Sequence, residues 1–131
     1  MNRVAHVTIS INAKPDAVYR YVVNPENLTA WAAGLAQSTI RQEGEVWIAD
    51  APFGTARIRF TPANTLGVLD HKVELDNGEV VNNPMRVIAN GEGCEVMFTL
   101  MSRPGMTDAE FDADKAAIER DLSVLKSIFE S

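Results

Sequence analysis

His71 is the residue of this sequence best placed to do chemistry. It lies in the segment 67–76, where apolar and polar residues alternate as in a half-buried strand. The inward phase of that segment is predicted to be Leu69, His71, Val73 and Leu75. An inward imidazole could donate a hydrogen bond to a ligand carbonyl, or act as a general acid or base near neutral pH. A core histidine bonded to a backbone carbonyl or a tyrosine hydroxyl is the alternative interpretation.

Asn83 is the second candidate, because its amide can both donate and accept hydrogen bonds beside a cavity. Four apolar residues of the segment 79–90 share its phase, namely Val81, Met85, Val87 and Ala89. Pro84 cannot join a central ladder, so a bulge or a sheet edge is expected there. A bulge would flip the phase and could turn Arg86 inward in place of Asn83. An asparagine that only caps the bulge is the structural alternative.

Two further candidates lie near the middle of the chain. Phe53, in an Ala-Pro-Phe-Gly loop, is predicted either to gate a cavity or to be an ordinary exposed loop aromatic. The phase of the segment 45–50 is ambiguous. If Val46 and Ile48 face inward, Asp50 does too and becomes an acid/base candidate; otherwise it is a solvated carboxylate at a strand end.

Composition excludes several classes of function. The 131 residues are enough for one domain, predicted to span 1–131, and carry a net charge of −6 from 18 acidic and 12 basic residues. No basic cluster suits a nucleic-acid partner, and no apolar run approaches the ~20 residues of a membrane span. The single cysteine and the absence of a metal-ligand motif predict no disulfide, metal or cofactor. No signal peptide is expected, because residues 1–11 alternate, so we predict a cytoplasmic protein.

The elements that must position these side chains can be read from the pattern. Residues 3–11 alternate like a strand, and two short helices are predicted up to Gly34, joined at Asn24-Pro25. From about residue 37 the pattern is of strands and turns only, and Asn77-Gly78 is its strongest hairpin signal. The candidate strands are 37–42, 45–50, 54–62, 67–76, 79–90 and 93–103.

The chain ends in a predicted amphipathic helix over 107–130. Thr107 and Glu110 have the spacing of a capping box at its start. The apolar stripe that follows spans about six turns and is strongest from Ile118 onward. Its members are Phe111, Ile118, Leu122, Leu125 and Phe129.

This order of elements, with Val-x-Asn-Pro-Glu-Asn-Leu-x-x-Trp over residues 22–31, resembles the START-like superfamily, also called SRPBCC or helix-grip proteins. Within it, the chain looks most like the bacterial polyketide cyclase/dehydrase-like group. The resemblance covers nearly the whole chain. It implies an α+β fold in which a curved antiparallel sheet of about seven strands surrounds a long C-terminal helix, with two short helices after strand 1.

Three functions are compatible with such a fold. The first is binding of a small hydrophobic or aromatic ligand between the sheet and the terminal helix. The second is a polyketide cyclase or dehydratase in which His71 is the acid/base and Asn83 or Arg86 polarises a carbonyl. The third is a protein-interaction domain whose cavity is plugged by methionines such as Met85, Met97 and Met101. The predicted binding residues are Phe53, Leu69, His71, Val73, Leu75, Asn83, Met85, Val87, Phe98, Leu100, Ile118, Leu122 and Leu125.

Overall fold

The computed structural model describes residues 1–130, which fold into antiparallel strands and helices in the predicted order. The strands are β1 (Val4–Ile11), β2 (Thr39–Glu43), β3 (Val46–Ala51), β4 (Gly54–Phe60), β5 (His71–Leu75), β6 (Val80–Asn83), β7 (Met85–Asn90) and β8 (Gly93–Met101). The helices are α1 (Pro15–Val22), α2 (Leu28–Trp31) and α3 (Asp108–Glu130), with 3₁₀ turns at Pro25–Asn27 and Ala33–Leu35. The predicted α+β class is confirmed.

The sheet consists of two hydrogen-bonded groups, β1-β8-β7 and β2-β3-β4-β5-β6. They are joined where the chain just before β5 meets β7. There the Leu69 N–H donates to the Met85 carbonyl at 2.8 Å, and the Val87 N–H donates to the Gly67 carbonyl at 2.9 Å. Gly67 has a φ of +72°, and a Cβ at this position would collide with the Val87 carbonyl oxygen. Only glycine therefore allows the two backbones to approach closely enough to join the groups.

Pro84 divides the predicted strand 79–90 into β6 and β7, which is why the structure has eight strands where about seven were predicted. Proline has no N–H for a ladder, and here the chain leaves β5 and pairs with β8. The inward phase nevertheless continues through the break. Met85 and Val87 are both buried, and Asn83 lies opposite His71 in the register. The predicted alternative that Arg86 turns inward is wrong, because this residue is exposed.

Asp70 holds the chain together at this break. Its Oδ1 accepts from the Met85 backbone N–H at 2.8 Å and from Arg86 Nε at 3.0 Å, and its Oδ2 accepts from the second guanidinium nitrogen at 2.8 Å. The guanidinium beside it holds the pKa of the Asp70 carboxyl below its usual value, with the Met85 bond adding to the effect. Asp70 thus supplies the acceptor that Met85 would otherwise lack next to a proline.

We expect Asp70→Ala to lower the free energy of unfolding by about 1–2 kcal/mol, since it leaves the Met85 N–H without its acceptor. Asp70→Asn keeps an acceptor oxygen and loses only a partly exposed ion pair, so it should cost less than about 1 kcal/mol. Urea unfolding at neutral pH measures both. Equal losses in the two variants would contradict the role assigned to the Met85 bond.

The terminal helix α3 lies across the sheet and contacts β1, β8 and α2. Its predicted capping box is present: the Thr107 N–H donates to Glu110 Oε1 at 3.0 Å, and the Glu110 N–H donates to Thr107 Oγ1 at 3.1 Å. The predicted stripe faces the protein. Phe111, Leu122 and Leu125 are buried, while Ile118 and Phe129 are half-buried. Between this stripe, the helix pair and the sheet lies the space in which a ligand could be held.

Candidate functional site

A cleft runs between α3, the helix pair and the inner face of the sheet, in two adjoining parts. We call the part beside α2 the inner compartment; its volume is about 160 Å³. Helices α2 and α3 form its roof, and strands β4, β5, β6 and β8 form its floor. Its lining residues are Leu28, Trp31, Ala32, Leu35, Ile58, His71, Val73, Asn83, Phe98, Ile118, Asp121 and Leu122.

The second part, which we call the outer compartment, has a volume of about 220 Å³ and continues along α3 toward the end of β8. Three side chains line both compartments, namely Asn83, Phe98 and Ile118. Leu100 and Arg103 are among the residues that line only the outer one. The two compartments together are comparable with the smaller clefts that hold small-molecule ligands in proteins.

His71 lies in the wall of the inner compartment and is buried, with 8% of its surface exposed. Its ring stacks on Phe60 at 4.7 Å between centroids and meets the edge of Phe98 at 6.2 Å. Its Nδ1 is 2.9 Å from the Leu69 carbonyl, which can only accept, so Nδ1 carries the proton and donates. Burial lowers the pKa of His71 despite that bond and the nearby Asp70 carboxylate. The ring is therefore held neutral, and Nε2 is left as an acceptor.

This burial predicts a pH dependence of stability. The pKa of His71 in the folded protein lies below the unfolded value of about 6.5. The free energy of unfolding that neutral His71 contributes is therefore fully present above pH 6.5. It falls as the pH drops below this value, because the unfolded chain takes up a proton there more readily than the folded protein does. Wild-type protein should lose up to about 1 kcal/mol between pH 7.5 and 5.5. His71→Phe, which retains the stacking on Phe60, should not show this loss. Denaturant unfolding at the two pH values compares them; the same loss in both proteins would show that another group titrates.

Trp31 and Asp121 line the inner compartment, and neither is among the binding residues predicted from the sequence. Trp31 is only 5% exposed, and its indole Nε1 is buried without a hydrogen-bond partner among residues 1–130. Asp121, on α3, accepts from the Ala33 N–H at 3.2 Å and so ties the turn after α2 to the helix. Burial raises the pKa of its carboxyl. A signal for Asp121 existed, since it follows Ile118 by three residues and precedes Leu125 by four.

The structure brings about half of the predicted binding residues to the cleft. His71, Val73, Asn83, Phe98, Ile118 and Leu122 line the inner compartment, and Leu100 lines the outer one. Five of the others lie in the core outside that lining: Leu69, Met85, Val87 and Leu125 are buried, and Leu75 is half-buried. Phe53 is 60% exposed in the turn between β3 and β4, and it contributes to the lining of neither compartment.

The phase of β3 excludes Asp50 from the cleft. Trp47 and Ala49 pair with Ile58 and Ala56 in the register, and all four belong to the core. Asp50 is exposed on the other phase, where Arg41 and Thr55 donate to its carboxylate. The arginine bond and Thr55 hold the pKa of Asp50 below its usual value. It is the solvated strand-end carboxylate of the alternative interpretation.

None of the helices within residues 1–130 combines the length and apolar character needed to cross a membrane.

No protein-family profile and no curated protein sequence matches the chain.

Solved structures, in contrast, match it over nearly its whole length. The protein XoxI from Bacillus cereus superposes with a TM-score of 0.73 at 14% identity, covering 98% of this chain and 96% of that one. The Aha1 dimer from Colwellia psychrerythraea gives a TM-score of 0.76 at 15% identity, with coverage of 98% and 96%. Ara h 8.0201 gives 0.69 at 12% identity, with coverage of 98% and 98%. Identities this low carry the fold alone: the chain has the helix-grip fold.

Proposed function

We propose that this protein binds a small, largely apolar ligand in the cleft between α3, the helix pair and the sheet. The observation that carries the proposal is the inner compartment itself. Its walls are mostly aliphatic and aromatic, and three polar residues, His71, Asn83 and Asp121, lie among them. An apolar surface with a few well-placed polar groups is the usual composition of small-ligand sites.

Native mass spectrometry of the purified protein tests this proposal first, since a co-purifying small molecule would appear as an added mass. The second test is a titration with benzene, which enters apolar cavities of about this volume. We expect amide NMR signals of Val73, Phe98 and Leu122 to shift, while those of the edge strand β2 stay unchanged. Absence of both an added mass and such shifts would contradict the proposal.

The alternative function is enzymatic: an acid–base enzyme of the polyketide cyclase type. It would use His71 with Asn83, its neighbour across the strands. We favour binding because Nδ1 is bonded to a backbone carbonyl instead of a carboxylate, and because burial lowers the pKa of the ring, which makes it a weak base at neutral pH. Under the catalytic alternative, His71→Ala would abolish turnover while changing ligand affinity only modestly.

The interaction domain with a plugged cavity has less support. Of the three methionines considered, Met85 is fully buried in the core, Met97 pairs with exposed Thr8 and Arg86 on the outer side of the sheet, and Met101 is exposed. None of them lines the inner compartment. The open volume therefore argues for a guest molecule over a self-filled core.

A further inference from the structure

A further pocket lies at the rim of the sheet, where β4 and β6 end and β5 begins. We call it the rim pocket; its volume of about 430 Å³ is typical of small-molecule sites. It adjoins the inner compartment at His71 and Asn83, which line both spaces. Arg59 and Lys72 line the rim pocket and neither compartment of the cleft. The rim pocket is therefore a separate space, and its charge differs from that of the cleft.

Arg59 and Lys72 supply this charge. They are exposed, and they lie directly opposite each other in the register of β4 and β5. Opposed residues have Cβ atoms about 5 Å apart, and like charges so placed repel each other. Neither cation forms an ion pair with a carboxylate of residues 1–130, although the whole chain carries a net charge of −6. An anion bound between them would relieve the repulsion.

The acidic residues on either side of Lys72 along β5 do not cancel this charge. Asp70 lines the rim pocket, but both of its carboxylate oxygens accept from Arg86. Glu74 lies opposite Arg57 in the register and outside the lining of the rim pocket. His71 adds no charge, because burial lowers the pKa of its ring. The lining of the rim pocket is therefore positive overall.

The rest of the lining combines apolar surface with side-chain amides. Phe60, Pro62 and Pro84 provide the apolar part, and Asn82 and Asn83 provide the amides. Asn82 lies directly opposite the lysine in the register of β5 and β6. An amide nitrogen can donate to an anionic oxygen. Two cations, neighbouring amide donors and an apolar wall are the groups that suit an organic anion with a small apolar body.

Two adjacent cations favour a doubly charged ligand. A phosphate monoester carries a charge of about −1.5 to −2 at pH 7 and has three acceptor oxygens, which two cations can share. A carboxylate, in contrast, is satisfied by one guanidinium group. We propose that the rim pocket binds a small phosphate monoester, with its phosphate between Arg59 and Lys72 and its organic group against Phe60 and the two prolines. This site is additional to the cleft and does not require a guest there.

Titrations followed by amide NMR test the proposal on the unaltered protein, at pH 7.5 and constant ionic strength. The probes are para-tolyl phosphate, inorganic phosphate, para-methylbenzoate and the uncharged para-cresol. We expect para-tolyl phosphate to shift the amide signals of Arg59 and Thr61, which para-cresol should leave unchanged. It should bind at least about threefold more tightly than inorganic phosphate, which lacks the apolar group. The same margin is expected over para-methylbenzoate, which carries a single charge.

Removal of single charges then assigns the contacts. Arg59→Gln and Lys72→Gln should each weaken para-tolyl phosphate about threefold to tenfold. The matched controls are Arg120→Gln and Lys115→Gln on α3, which change the net charge equally. Both control residues are exposed, outside the lining, and without an ion pair within residues 1–130. They should leave the affinity unchanged, and all four variants should melt within about 3 °C of the unaltered protein.

Three results would overturn the proposal. Absence of shifts at Arg59 and Thr61 would show that the rim pocket is empty of the ester. Equal losses in all four glutamine variants would mean that only the net charge matters. Equal affinity for para-methylbenzoate would exclude the phosphate as the group recognised. The benzene titration tests the cleft separately, so each proposal can fail while the other stands.

Discussion

Ala32→Phe is expected to abolish ligand binding, or to weaken it by at least about tenfold, by filling the inner compartment with a protein side chain. Ala32 lines this compartment at the end of α2, with extended backbone angles that any residue can adopt. The added ring would occupy most of a space of about 160 Å³. Titration with para-cresol, or the shifts caused by benzene, measures the loss.

Ala30→Phe is the matched control for that experiment. Ala30 lies two residues away on the exposed side of α2 and does not contribute to the lining. The same added ring should leave affinity unchanged there. Unimpaired binding in Ala32→Phe would place the guest elsewhere in the molecule and would contradict the proposed site.

Leu125→Ala is expected to lower the free energy of unfolding by about 2–5 kcal/mol, the largest change in stability among these variants. Leu125 is 0% exposed and packs α3 into the core. The cost combines lost transfer energy with a void that the sheet cannot close. Alanine is a better helix former than leucine, so helix propensity cannot explain a loss. Thermal or urea unfolding provides the measurement.

Val124→Ala, at the adjacent residue, is the control for this variant. Val124 is 42% exposed on the outer side of α3, so its truncation should change stability by no more than about 0.5 kcal/mol. Comparable losses at the two positions would contradict the packing of α3 against the sheet along its apolar stripe.

The predicted hairpin at Asn77-Gly78 is present, but its geometry differs in one respect. Only Gly78 has positive φ, at +84°, and Asn77 instead accepts from the Glu79 N–H through its side chain at 2.9 Å. The turn also has a bond from the Leu75 N–H to the Glu79 carbonyl. The residue types were sufficient to place the turn, whereas the choice between two- and three-residue loops depended on how β5 and β6 pair.

Periodicity failed in β3, where each phase contains large apolar residues. Val46 and Ile48 compete with Trp47 and Ala49, and a two-residue period cannot rank them. The pairing of Trp47 with Ile58 decides the matter, because it puts β3 in phase with the buried residues of β4. Ile48, on the opposite phase, is buried as well, and it pairs with Arg41 and Arg57 in the register. The burial of single residues therefore does not identify which phase of β3 faces the cleft.

The sequence by itself determined the order of elements, the capped terminal helix and the inward phase of His71, whereas it left the phase of Asn83 open at Pro84. These depend on short-range periodicity and local hydrogen bonds, which neighbouring residues specify. Only the tertiary structure decided that Trp31 would lack an acceptor, that Asp121 would tie α3 to Ala33, and that Asp70 would bridge the break at Pro84. Each of these depends on side chains that meet from separate elements, and no spacing along one element encodes such a meeting.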